Sequence, residues 1–171
     1  MRTIITSLLL LTGTVAASAQ HQGQHHMPYA GQQQRDVKAL SGQQIDDLRA
    51  GGGMGLALAA ELNGYPGPLH VLELADQLEL SGDQRQQVQR LFDSMKAEAT
   101  SVGASLIEQE TALDRAFSTN HISEPALAQL TSQIGETQGR LRAVHLKYHL
   151  TTRALLSPAQ RERYAGLRGY R

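Results

Sequence analysis

The chain holds no cysteine and no tryptophan, and its aromatics are limited to five tyrosines and two phenylalanines. Without cysteine there are no disulfides, no thiolate metal sites and no cysteine nucleophile, so helix packing, a metal or self-association must supply stability. Neither sign of charge is in excess: sixteen Lys and Arg balance sixteen Asp and Glu. That removes the global field that draws a protein onto nucleic acid or anionic lipid, and neither partner is expected. Scarce aromatics beside abundant Gln, Ala and Leu suit helices and disfavour strands. Catalytic signatures are missing too. No G-x-S-x-G elbow, H-E-x-x-H pair or phosphate-cradling loop occurs, and Gly51-Gly52-Gly53 joins no strand to a helix, so the chain is read as a non-enzyme.

Long apolar runs are confined to the start. Arg2, an apolar stretch from Ile4 to Ala16 and the small-x-small triplet Ala17-Ser18-Ala19 read as a secretory signal peptide over 1–19, cleaved near Ala19. The stretch is too short for a transmembrane span, and no membrane span is expected elsewhere. The remainder is sized for one domain in the periplasm. Residues 20–35 (QHQGQHHMPYAGQQQR) carry no apolar periodicity and read as a flexible His/Gln-rich tail. Residues 36–68 read as short helices and a Gly/Pro-rich connector, and 69–171 as the helical domain.

One unit recurs. Leu40-Ser41-Gly42-Gln43-Gln44, Leu80-Ser81-Gly82-Asp83-Gln84 and Leu156-Ser157-Pro158-Ala159-Gln160 all spell Leu-Ser-x-x-Gln. A serine at the N-cap accepts from the N3 amide while glutamine at N3 reaches back to the N-cap amide, so each copy predicts a helix start. Pro158 falls at N1, where its missing N–H costs nothing.

Downstream of Ser81, apolar residues recur at Val88, Phe92, Met95, Ala99, Val102, Leu106 and Leu113, with Gln109 interrupting. A second seam runs Leu127, Leu130, Ile134, Thr137, Leu141, Val144, Tyr148, Thr151, Leu155. Both alternate steps of four and three, the mark of an amphipathic helix. Between them Asn120 suits a left-handed C-cap and Ser123 the next N-cap. The prediction is an all-α fold: an antiparallel hairpin of about Gly82–Phe117 against Glu124–Leu155. Shorter helices flank it at Ile45–Ala50, Leu56–Leu62, Leu69–Leu78 and Ser157–Leu167.

With LSGDQ and LSPAQ each opening a helix behind an export signal, residues from Leu69 to Leu167 resemble the Spy/CpxP periplasmic family, whose motif is LTxxQ. They are also similar to the zinc-resistance-associated proteins and the CnrX-type periplasmic heavy-metal sensors. Serine stands for the usual threonine in every copy. The Spy/CpxP resemblance implies an ATP-independent chaperone or stress-signalling partner, commonly a homodimer, acting on unfolded client proteins or an envelope sensor protein. The sensor resemblance implies a divalent metal held by helix histidines.

The sharpest local feature is His145-Leu146-Lys147-Tyr148-His149. Histidines at i and i+4 lie one above the other on a helix face, where both imidazoles can approach one ion. Imidazole pairs suit zinc, nickel, cobalt or copper. The plainer reading makes them polar shoulder residues beside the Leu141, Val144, Tyr148 seam. His70 is the third candidate ligand, about ten residues before LSGDQ as His145 stands about eleven before LSPAQ, and Glu73 lies one turn further on. Sensors of that type carry a His pair on their first helix, whereas Leu74 occupies the i+4 place here. His21, His25, His26 and Met27 form a second cluster in the tail, suited to weak copper or zinc capture or to no function. Met95 reads as core, His121 as an exposed turn residue, and the Gly135/Gly139 spacing as a flexible stretch. Two functions result: a binding protein of envelope stress, or a periplasmic metal-binding resistance protein using His145, His149, His70 and Glu73. Neither requires a cofactor, and a divalent metal (zinc, nickel, cobalt or copper) is the candidate ligand.

Overall fold

The computed structural model describes residues 28–170; the expected signal peptide and the tail cluster His21, His25, His26 and Met27 lie outside them. The described residues form helices and no strand. A 3-10 turn at Gln32–Gln34 precedes α1 (Gly42–Ala50), α2 (Leu58–Glu61), α3 (Pro68–Glu73), α4 (Gly82–Ser118), α5 (Glu124–Leu155) and α6 (Pro158–Leu167). No helix among the described residues is long and apolar enough to cross a membrane.

All three Leu-Ser-x-x-Gln copies are reciprocal capping boxes. Ser41, Ser81 and Ser157 accept from the amides of Gln44, Gln84 and Gln160, and those glutamines accept from the serine amides in return. Two copies also meet across the fold. Gln84 Nε2 donates to Gln160 Oε1 at 3.0 Å and Gln160 Nε2 donates to Gln84 Oε1 at 3.1 Å, tying the start of α4 to the start of α6. Gln84 Nε2 further donates to the Leu155 carbonyl and Gln160 Nε2 to that of Leu78.

The hairpin turns where Asn120 takes φ 55. The Asn120 amide donates to the Phe117 carbonyl and the His121 amide to that of Ala116, a Schellman pair that closes α4. α1 and α3 pack on α4, and α2 packs on α5. Gly103 admits α1: a Cβ there would lie 2.5 Å from the Leu48 carbonyl oxygen.

Two apolar clusters result. One joins Val37, Leu40 and Leu48 to Ala99, Val102, Leu106, Ile134, Leu141 and Val144. The other joins Val71, Ala75, Leu78 and Leu80 to Val88, Leu156 and Tyr164. α3 ends at Glu73 instead of continuing to Leu78, and turns carry the chain to Glu79 at φ 51. Turning there buries Val71, Ala75 and Leu78 and leaves Leu69 exposed.

The seams drift. In α4 the buried stripe ends on Glu110 instead of Gln109, and in α5 it runs Ile134, Thr137, Leu141, Val144 and then His145, His149, Thr152 instead of Tyr148, Thr151, Leu155. A straight helix of 3.6 residues per turn falls behind a seven-residue repeat by about 20° per heptad, so the buried line moves to the following residue. Gly135 and Gly139 are exposed, with open space where a Cβ would project.

A candidate metal-binding cavity between the two apolar clusters

The drift takes the histidines from the shoulder into the interior. His145 is 2% exposed and His149 7%. Both line a cavity of about 460 Å³ walled by the Gly51–Gly55 loop, α2, the start of α3, and Phe92, Met95 and Lys96 of α4. His70 lines it as well. Three of the four candidate residues from the sequence therefore border one space. The fourth, Glu73, is exposed and lies outside that lining.

The carboxylate on the wall is Glu61, at the end of α2 and 5% exposed. Tyr164 of α6 donates a hydrogen bond to its Oε1. Tyr170 donates to the same oxygen at 3.1 Å, and the Gly67 amide donates to Oε2 at 3.1 Å. His70 Nδ1 stands 3.3 Å from Oε1, Arg168 Nε 3.9 Å from Oε1, and His149 Nδ1 3.6 Å from Oε2. Burial pushes the Glu61 carboxyl upward, but these donors and the nearby His70 outweigh it and hold the group below the ordinary carboxylate value. Glu61 is thus a buried carboxylate whose two oxygens are occupied by the protein. The same contacts push the Tyr164 phenol upward, burial first and Glu61 second.

His149 Nδ1 lies 2.7 Å from the Tyr65 carbonyl oxygen. A carbonyl only accepts, so Nδ1 carries a proton and Nε2 is the nitrogen that remains for another partner. The ring fits because residue 67 is glycine: a Cβ there would lie 2.8 Å from His149 Cε1 and 2.9 Å from Nε2. His145 Nε2 is buried without a hydrogen-bond partner among the described residues. Burial, and then the neighbouring His149, push the His145 imidazole below its ordinary value, while a hydrogen bond with the Gly52 backbone opposes them. The neutral, metal-competent ring is favoured.

The donors are neighbours without being closed around a point: among the described residues no three of His, Asp and Glu are grouped so as to hold an ion. Fit to a metal is therefore carried by His145, which lines the cavity with His70 and His149 and whose Nε2 is buried without a partner among the described residues. Sequence reading missed Glu61, whose signal was a lone acid in the apolar stretch Leu56–Leu62. Its partners Tyr164 and Tyr170 lie more than a hundred residues away in sequence, beyond any local pattern.

An all-helical hairpin with a histidine-lined cavity against its two long helices is the class of protein these features define. Residues 52–163 match the model of the family described as heavy-metal resistance, and the chain belongs to that family. The matched span starts in the glycine loop that walls the cavity, upstream of Leu69, where the resemblance noted above begins. Comparison with curated proteins finds no match, and comparison with solved structures finds none.

Proposed function

We propose that the protein serves heavy-metal resistance by binding a metal ion in this cavity, in the periplasm and without catalysis. The observation that carries the reading is His145, which lines the cavity and whose Nε2 is buried with no partner among the described residues. Buried polar atoms are nearly always satisfied, and one that is not calls for an explanation such as an absent ion. His149 supports it, because a metal-binding imidazole commonly donates its second N–H to a carbonyl, as Nδ1 does to Tyr65. His145 and His149 would supply the inner ligands. His70, half-buried at the cavity edge, would supply a third by turning its ring. A bound ion would satisfy these nitrogens and pin α3 to α5. Glu61 would orient His70 through its Nδ1 instead of ligating, the Tyr65 carbonyl would orient His149, and Glu73 would stay in solvent.

Calorimetric titration tests this in the full chain with His21, His25 and His26 replaced by alanine. Binding should persist there and be lost on adding His145→Ala and His149→Ala. A saturating ion should raise stability by about 2.7 kcal/mol at a hundredfold excess over its Kd. Binding that disappears with the tail histidines alone refutes the cavity and moves the metal to residues 21–26.

A second reading, the Spy/CpxP-like one, is supported by exposed apolar side chains. Phe117 and Leu127 project at the turn end of the hairpin, and Met54, Leu58, Leu62 and Leu69 lie on or near the cavity rim. Such surfaces hold unfolded clients, an envelope sensor or a second copy. Suppression of client aggregation without ATP tests it, and no suppression at several-fold excess excludes it.

A further inference from the structure

The glycine loop contains one residue that its backbone does not favour. In Gly51-Gly52-Gly53-Met54-Gly55, Met54 takes φ 43, a left-handed conformation that a fifth glycine would adopt without strain. A side chain kept at a strained position needs a reason in what that side chain reaches. Met54 lines the cavity, and so does Met95 from α4. The same space is thus lined by two methionines and by His145, whose Nε2 has no partner among the described residues.

The donor chemistry is unbalanced toward soft atoms. Among the described residues Glu61 is the one carboxylate on the wall, and its oxygens are already engaged by Tyr164, Tyr170 and the Gly67 amide. Hard or octahedral ions find no free carboxylate there, whereas thioether and imidazole together favour soft d10 ions. Such ions accept low coordination numbers, which accords with a wall where no three His, Asp and Glu side chains among the described residues are grouped to hold an ion.

Resting on the metal-binding reading above, we propose that the ion is a soft monovalent one, Cu(I) or Ag(I), and that the thioethers of Met54 and Met95 join His145 and His149 in holding it.

Two substitutions isolate the thioethers. Met54→Gly suits the observed φ and should leave the fold at least as stable. Met95→Leu nearly conserves core volume. In the full chain with His21, His25 and His26 changed to Ala and Met27 to Leu, Ag(I) is titrated alone, Cu(I) is titrated anaerobically against a chromophoric chelator, and Zn(II) is titrated separately. Ag(I) and Cu(I) should bind more tightly than Zn(II), and the Met54→Gly, Met95→Leu pair should weaken them by about tenfold or more while the helical circular dichroism is retained. Zn(II) binding as tightly as Ag(I), or Ag(I) affinity unmoved by Met54→Gly and by the pair, overturns the soft-ion assignment and leaves the histidine site standing. Loss of all binding without the tail donors removes the cavity site and this assignment with it.

Discussion

The side-chain amides of Gln84 and Gln160 exchange hydrogen bonds, at 3.0 and 3.1 Å, so that the capping box of α4 is locked to the capping box of α6. Each glutamine oxygen also accepts from its own serine amide. The repeat therefore does two things with one residue: it starts a helix and joins two starts that lie far apart in sequence.

The pair should be energetically coupled. Gln84→Ala and Gln160→Ala are each expected to lower stability by about 1–3 kcal/mol, because partners are left part-buried and unsatisfied. The double variant should lose less than the sum, by about 0.5–3 kcal/mol. Denaturant titration of the four proteins measures it, and additive losses would mean that the two boxes act only locally. Ser41→Ala, in the box that meets no other, should cost only the cap, about 1 kcal/mol.

Gly67→Ala should disturb His149 selectively. The added Cβ would fall 2.8 Å from Cε1, closer than real side chains approach, so the ring or the loop must move. A loss of about 1–3 kcal/mol is expected, as for overpacking. The His149 ring resonance in an NMR spectrum should shift while that of exposed His121 stays. An unchanged His149 signal would show that the loop yields instead.

Tyr164→Phe removes the hydrogen bond to Glu61 with little change of volume. The variant should be less stable by about 1–3 kcal/mol. The Glu61 carboxyl should also titrate at higher pH, because a donor that holds it down is gone. In the native chain this lowered group stabilises the fold above the unfolded carboxylate value and loses that contribution as pH falls through the folded one. The variant should show a weaker acid-side loss, and identical pH–stability curves would refute the role given to Tyr164.

Glu110 carries the opposite sign. It is buried in the α4 stripe, and burial raises its carboxyl above the ordinary value. A raised acid binds its proton more tightly in the folded state, so stability is highest below the unfolded value, 4.5, and declines as pH rises through the folded one. Glu110→Gln should be more stable at neutral pH, by a few tenths to about 1 kcal/mol, and should lose that slope. Melting temperatures across the acidic range decide it: if Glu110→Gln is destabilising at neutral pH, the ionised carboxylate has an essential partner.

What the sequence determined by itself was everything set within a turn or two of chain. The serine and glutamine of each capping box, the left-handed Asn120 and the apolar steps of four and three fixed the helix starts and the hairpin, because those interactions join residues a few positions apart. His145 and His149 were legible as a pair for the same reason. Tertiary structure decided the rest. A repeat of seven on a helix of 3.6 residues per turn loses register, and that slip carried His145 and His149 from the shoulder of the seam into the interior, where Tyr65 and Gly67 meet His149. It also buried Glu61 and left Glu73 exposed, since a buried carboxylate persists only where donors surround it, and Tyr164 and Tyr170 reach Glu61 from more than a hundred residues away only once α6 is docked.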